Sequence, residues 1–124
     1  FEGNTPLIEL EIFGQKHTYI FDMGAATTVL SRKFEKNYAD SLTSTKKINA
    51  GVGGAGGVQK VTFNTFKNLH YRWGNVNGVL PICMIQENGA DEAFKNYFGI
   101  AGEDIYRQWK TLTINFNKNF ILAK

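Results

Sequence analysis

The stretch that decides the fold reads IFDMGAATTVLS and covers residues 20–31. An apolar strand leads into a single acid, Asp22, and a turn of small residues connects this acid to a second apolar strand. Aspartate and glycine are common turn formers, so a lone Asp-x-Gly most often only reverses the chain. The apolar flanks of this turn predict that Asp22 is buried. A carboxylate in such a setting is a candidate for acid–base chemistry.

The composition predicts one globular domain over residues 1–124. Hydrophobic residues make up 43% of the chain and charged residues 20%, which are ordinary values for a globular protein. The net charge is only +3 and the basic residues are scattered, so no nucleic-acid partner is expected. No apolar run is long enough to span a membrane. The chain begins at Phe1 without a methionine, which predicts a mature or trimmed fragment.

The cysteine and the two histidines give no sign of a metal or cofactor. The chain has one cysteine, Cys83, which excludes an intrachain disulfide and a cysteine-based metal site. Because Cys83 lies in the apolar run 79–85, we predict that it is a buried hydrophobic residue. His17 and His70 have no acidic or cysteine partners at the spacing of metal ligands. We therefore expect neither a metal nor a cofactor.

Period-two hydrophobic alternation predicts strands for most of the chain. In residues 7–13, Ile8, Leu10 and Ile12 share one face, and a hairpin is expected with residues 17–21. Short helices are predicted over 31–38, capped by Ser31, and over 103–109, with a weak helix near 90–97. The segment 69–78 is not assigned. Further strands are predicted at 47–50, 58–66, 79–85, 99–102, 112–116 and 120–122. The sequence thus predicts an all-β domain.

A glycine-rich run, GVGGAGG at residues 51–57, joins two of the predicted strands. It contains the spacing Gly-x-Gly-x-x-Gly, but a dinucleotide site needs a helix after the glycines, and residues 58–63 are typical of a strand. Glycine accepts backbone conformations closed to other residues and weakens local order. We therefore predict a long hairpin with a flexible tip, suited to cover a substrate.

Three motifs in order resemble the retropepsin-like aspartic peptidases, the single-domain relatives of the pepsin fold. Residues 22–25, DMGA, resemble the Asp-Thr/Ser-Gly-Ala signature of this family, and residues 51–57 resemble the flap of its retroviral members. Residues 100–102, IAG, resemble the hydrophobic-hydrophobic-Gly motif that supports the active-site loop. The resemblance extends from about residue 7 to residue 116. It implies a closed all-β barrel with a glycine-rich flap hairpin and one or two short helices.

The resemblance also implies an active site, and it carries over to matching positions only. Asp22 would be the catalytic aspartate, in an active-site loop with Met23, Gly24 and Ala25. Val29 and Ile100 would line the pocket together with Ala25. The flap residues that would bind substrate are Gly51, Val52, Gly53, Gly54 and Ala55, and the residues that would support the loop are Ala101 and Gly102.

In this family two domains each contribute one aspartate, and a water activated between the two acids hydrolyses a peptide bond. The chain has one such motif, so the resemblance implies an aspartic endopeptidase whose second aspartate comes from a homodimer partner or a second homologous domain. The implied substrate is a peptide or protein, bound partly as an added strand. No cofactor is implied.

Departures from the family pattern leave alternatives open. Met23 replaces the usual threonine or serine, whose hydroxyl joins a hydrogen-bond lattice across the dimer. Ala26 and Glu103 replace an acid and a base that pair in the retroviral enzymes, so the chain resembles a cellular or bacterial member instead. The compartment stays open, and a periplasmic or secreted bacterial location is one that the resemblance allows. The alternatives are an inactive pseudo-peptidase that binds peptides or dimerises, and a lipid or small-ligand binder on the same barrel.

Overall fold

The computed structural model describes residues 2–3, 5–38, 42, 44–54, 57–87 and 94–124. Most of these residues lie in nine strands, interrupted by two short helices. The strands are β1 Leu7–Ile12, β2 Gln15–Phe21, β3 Val29–Leu30, β4 Ser44–Gly54, β5 Gly57–Trp73, β6 Val76–Gln86, β7 Gly99–Ala101, β8 Leu112–Asn115 and β9 Phe120–Ala123. The helices are α1 Arg32–Tyr38 and α2 Glu103–Tyr106. The prediction of an all-β domain with one or two short helices is confirmed.

Six strands close into a barrel in the order β1-β2-β7-β3-β6-β5, which confirms the closed barrel. The ring closes where Glu11 of β1 pairs with Arg72 of β5, and their side chains form an ion pair at 2.8 Å. β4 pairs with β5 outside the ring and forms with it the glycine-rich hairpin. β7 lies between β2 and β3, parallel to β2 and antiparallel to β3. The chain that connects β2 to β3 therefore passes over the end of β7.

Alternate residues of the strands fill the barrel, because successive side chains of a strand point to opposite faces. The predicted inner face of β1 is confirmed, since Ile8, Leu10 and Ile12 are all buried. Phe34 of α1 and Ile105 of α2 complete the same core, so both helices cover the barrel. Burying a large apolar side chain contributes about 1.5–3 kcal/mol relative to leaving it exposed. This core is therefore the main source of the stability of the fold.

The segment 69–78, for which the sequence predicts no element, contains a two-residue turn between two strands. β5 continues to Trp73 and β6 starts at Val76, and these two residues pair directly. Gly74 between them has φ +56°, a conformation that glycine adopts without steric cost. The segment is thus the closed end of the β5–β6 hairpin.

Three sequence-based predictions are wrong in detail. The helix predicted over residues 103–109 ends at Tyr106. Phe116 was predicted to continue the alternation of β8, but it lies beyond the strand and is 55% exposed. The run 79–85 was predicted to be buried throughout, yet Ile82 is 59% exposed. In the last case the alternation of β6 changes phase: Leu80 is buried, Pro81 and Ile82 are both exposed, and the alternation starts again with Cys83 and Ile85 buried.

The helix predicted over residues 31–38 is confirmed as α1, which begins one residue later. The carbonyl of Ser31 accepts a hydrogen bond from the amide of Phe34 at 3.0 Å. The Ser31 hydroxyl was expected to cap the helix, but it is buried without a hydrogen-bond partner among the described residues. Of the weak helix near 90–97, residues 90–93 lie outside the described part of the chain, and 94–96 form a turn.

The C-terminal strands β8 and β9 pair as a separate two-stranded sheet. The inner side of this hairpin packs against the barrel core through Leu112, Ile114, Ile121 and Ala123. Its outer side carries Phe120 and Leu122, which are 41% and 47% exposed. The hairpin thus covers part of the barrel and leaves an apolar outer face.

Cys83 is predicted to be chemically inert in the folded protein. It is 1% exposed, as expected from the sequence, and burial raises the pKa of its thiol to about 12. Because the thiolate is the reactive form, we expect the native thiol to react with an aromatic disulfide at pH 8 at least ~100-fold more slowly than in urea. The absorbance of the released thiol measures both rates. Equal rates in buffer and in urea would contradict this prediction.

Candidate functional site

The loop that carries Asp22 leaves the end of β2 and crosses over the end of β7. Its backbone is fixed to the chain that runs from β7 into α2. The amide of Asp22 donates to the carbonyl of Ala101 at 3.0 Å, and the amide of Glu103 donates to the carbonyl of Ala25 at 2.8 Å. The motif at residues 100–102 therefore lies directly against the loop, and its role in supporting an active site stays a prediction.

Gly102 lies so close to the loop that no side chain fits there. A Cβ atom at this position would come within 2.7 Å of the carbonyl oxygen of Ala25 and 2.8 Å of the backbone of Thr27. Both neighbours are backbone atoms of the loop, so a larger residue would displace the loop itself. Close approach of two backbones is thus the physical reason for a glycine at the end of this motif.

A hydrogen-bonded chain of three residues, which the sequence did not reveal, fixes the far end of the loop. The Thr28 hydroxyl donates to the Asp104 carboxylate at 2.6 Å and accepts from the amide of Gly102 at 3.0 Å. The amide of Thr28 also donates to this carboxylate, at 2.9 and 3.0 Å to its two oxygens. Thr28 is 1% exposed. We call this set of contacts among Thr28, Asp104 and Gly102 the loop clasp.

The only sequence signal for the loop clasp was the acid two residues after Gly102. The position directly after Gly102 is Glu103, where the resemblance to the retroviral enzymes implies a base. In the structure Glu103 pairs with Arg107 on the surface, one turn along the chain, while Asp104 turns toward the loop. Hydrogen bonds to a charged acceptor are stronger than neutral ones. Asp104 therefore anchors the far end of the loop to α2.

The Asp22 side chain is exposed, which corrects the expectation that its apolar flanks bury it. Phe21 before it is in the core, but residues 22–24 lie beyond the end of β2, where no described residue covers them. One carboxylate oxygen accepts a hydrogen bond from the amide of Gly24 at 2.8 Å. This contact of an aspartate with the amide two residues on closes a tight turn and orients the carboxylate. The result is an oriented acid on an open surface.

Met23 lies beside Asp22 and is 53% exposed. Its side chain therefore causes no steric conflict within this chain. Its carbonyl oxygen accepts a hydrogen bond from the Tyr106 hydroxyl at 3.0 Å, so the backbone at this position is held from α2. Tyr106 in turn packs on Phe21, with ring centroids 5.6 Å apart. A methionine at this position therefore affects contacts with a molecule outside this chain, and not the packing of the chain itself.

The two predicted pocket residues are neighbours. Val29 of β3 and Ile100 of β7 pair across the strands, and both are half-buried on the side of the sheet that faces away from the core. Ala25 in the loop is half-buried too. Met84 of β6 pairs with Val29 and extends this apolar row by one strand. Met84 is not among the pocket residues that the resemblance implies, and its half-buried position follows from its place between the buried Cys83 and Ile85.

The predicted flap is a regular hairpin as far as it is described. Gly51, Val52, Gly53 and Gly54 lie in β4 and pair in register with β5, the last pair being Gly54 with Gly57. Ala55, the fifth predicted flap residue, lies outside the described residues. The strands needed for a flap are therefore present, and its contact with a substrate stays a prediction.

The described residues contain no group of three histidine, cysteine or acidic side chains that could hold a metal ion. His17 makes structural contacts: its ring stacks on Phe98 with centroids 3.7 Å apart, and Nε2 lies 2.7 Å from the Tyr38 hydroxyl. Burial lowers the pKa of His17. Over the same described ranges, no helix has the length and apolar character needed to cross a membrane.

Comparison with known proteins does not assign the chain to a family. No protein-family model matches it. A search of curated proteins also found no significant match. The functional assignment therefore depends on the geometry of the loop and on the resemblance of the three motifs.

The loop clasp predicts a large effect for a small substitution. Thr28→Val keeps the shape of the side chain but leaves the Gly102 amide without its buried acceptor and removes the hydroxyl donor to Asp104, which keeps only the amide of residue 28 as a donor from this position. We expect this to lower the free energy of unfolding by about 1.5–3 kcal/mol, measured by urea denaturation. The control is Thr27→Val at the exposed neighbouring position, where a change within about 0.5 kcal/mol is expected. Equal effects of the two variants would contradict the clasp.

Proposed function

We propose that this chain is one half of an aspartic endopeptidase and that Asp22 is its catalytic carboxylate. The observation that carries the proposal is the exposed, oriented Asp22 carboxylate in a loop anchored from β7 and α2. An aspartate that only kept a mobile turn in contact with water would not need the buried hydrogen bonds of the loop clasp to hold its loop. The resemblance of residues 22–25, 51–57 and 100–102 to the three peptidase motifs supports the same function.

The reaction needs a second carboxylate close to Asp22. Two acids a few ångström apart do not both ionise easily, so they share one proton. The ionised acid takes a proton from water as the water oxygen attacks the carbonyl carbon, and the protonated acid donates a hydrogen bond to the carbonyl oxygen. The amide nitrogen then takes a proton as its bond to carbon breaks. Two products form, one with a new carboxyl group and one with a new amino group.

The second carboxylate would come from an identical chain or from a second homologous domain. Asp22 and Met23 are both exposed in the single chain, at the surface where such a partner would approach. A symmetric partner would bring its own Asp22 loop to the same place and bury both. Enclosure by the partner would also exclude bulk water, which the isolated loop does not do.

Met23 favours a second candidate function, a pseudo-peptidase that keeps the fold and binds peptides or a partner without turnover. A threonine or serine at this position could hydrogen-bond across the interface, and a thioether is only a weak acceptor. The exposed methionine offers an apolar contact instead. The two candidates agree on the site and differ in whether the two carboxylates reach productive geometry.

The first test is cleavage of a mixed peptide library between about pH 3 and pH 7. We expect cleavage by the unmodified chain and a loss of about 100-fold or more for Asp22→Asn, because the amide cannot exchange the proton. Glu9→Gln, which removes an exposed carboxylate on β1, is the control and should cleave normally. Absence of cleavage, or equal cleavage by Asp22→Asn, would contradict the peptidase proposal.

The second test compares Met23→Thr with Met23→Val. The two replacements have nearly the same shape, but only threonine provides a hydroxyl. We expect Met23→Thr to tighten self-association and raise cleavage by roughly tenfold relative to Met23→Val, because each added interface hydrogen bond contributes about 0.5–1.5 kcal/mol. Sedimentation velocity and library cleavage measure the two effects. If both variants behave alike, the missing hydroxyl does not explain the role of position 23.

A further inference from the structure

A groove on the outer face of β4, β5 and β6 has no role in the chemistry described so far. Its volume is about 490 Å³, and each strand contributes two residues that lie two positions apart. The lining residues are Lys46, Ile48, Thr65, Lys67, Ile82 and Met84. We call it the outer groove. Side chains at positions i and i+2 share a face of a strand, so the six form one continuous surface.

The outer groove combines an apolar floor with two cations. Ile82 is 59% exposed, and Ile48 and Met84 are half-buried beside it. Lys46 and Lys67 are exposed, and neither is ion-paired with a described residue. Among the described residues, no acidic side chain lines the groove. Exposed lysines beside an apolar floor suit a ligand with an apolar portion and a negative charge.

Strand pairing connects the outer groove to Val29 and Ile100, the two residues predicted to line a pocket. Met84 belongs to the groove and pairs with Val29, which pairs with Ile100 on the other side. In the opposite direction Met84 pairs with Thr65, and Thr65 pairs with Lys46. From Ile100 to Thr65 there are three strand spacings, about 14 Å, which an extended peptide covers with about four residues. A peptide at Asp22 could therefore reach the lysines without leaving the sheet surface.

We infer that the outer groove binds an acidic side chain of the peptide substrate, three to five residues from the bond that is cleaved. The inference rests on the proposed peptidase function and adds a substrate class to it. Lys46 and Lys67 pair with the carboxylate of a glutamate or aspartate, and Ile48, Ile82 and Met84 contact apolar parts of the same segment. The net charge of +3 attracts acidic segments in general, and the groove fixes where the acid lies.

Cleavage of a mixed peptide library, with each cleaved bond identified by mass spectrometry, tests the inference. For the unmodified chain we expect an enrichment of glutamate and aspartate of about 1.5- to 5-fold at one position three to five residues from the bond, the range for exposed ion pairs. Lys46→Glu combined with Lys67→Glu should reverse this preference toward lysine and arginine. The preference should also weaken as salt is raised, because these charges are exposed.

The matched control is Lys16→Glu combined with Lys118→Glu, which changes the net charge equally at two exposed lysines outside the groove. This control should keep the preference for acids. Cleavage without any charge preference, or an equal change in both double variants, would overturn the inference and leave the peptidase proposal standing.

If no peptide is cleaved, the peptidase proposal fails, and binding decides the inference. The probe is then a pair of fluorescent ten-residue peptides that differ only in one glutamate or glutamine, measured by anisotropy. Tighter binding of the glutamate peptide, lost with the groove variant and kept with the control, supports the groove as an acidic-peptide site. Equal binding of the two peptides, or binding of neither, overturns it. Binding of a fatty acid such as decanoate in place of both peptides would overturn it as well.

Discussion

The Thr28 hydroxyl donates to the Asp104 carboxylate and accepts from the Gly102 amide, out of contact with water. Each of the three groups would be left with an unmet hydrogen bond if another were removed, and an unmet bond in a buried place is costly. The contact also joins the two parts of the chain that the topology brings together, the loop after β2 and the end of β7. This connection holds the far end of the loop that carries Asp22.

Much of the fold follows from local patterns in the sequence. Alternation in β1, its hairpin with residues 17–21 and the strand character of residues 58–66 are properties of neighbouring residues, and these predictions hold. The exposure of Asp22 and the partial burial of Met84 were missed because they depend on how far the barrel end and the sheet faces extend. Asp104 was missed because its partner Thr28 lies 76 positions away along the chain, and no local pattern reports a contact between such distant residues.

Contacts within one chain fix the backbone of the candidate site, but they leave its side chains exposed. The backbone of the loop is fixed by contacts with Ala101, Glu103 and Tyr106, so its shape does not need a partner. The side chains of Asp22 and Met23, in contrast, extend away from these anchors into an exposed region. A fixed loop backbone that carries exposed side chains is typical of a surface that becomes complete on association. The chemistry of the partner, and not the support, would then determine whether the site hydrolyses peptides.

The closure of the barrel has a consequence for where the molecule can open. β1 and β5 meet through the single pair of Glu11 and Arg72, whereas β2, β7 and β3 are held together by strand pairing, Gly102 and the loop clasp. Thermal opening needs the least free energy where the fewest backbone hydrogen bonds must break. Amide exchange with solvent should therefore begin along the β1–β5 seam. Strands β1 and β5 can separate transiently while the loop after β2 keeps its shape.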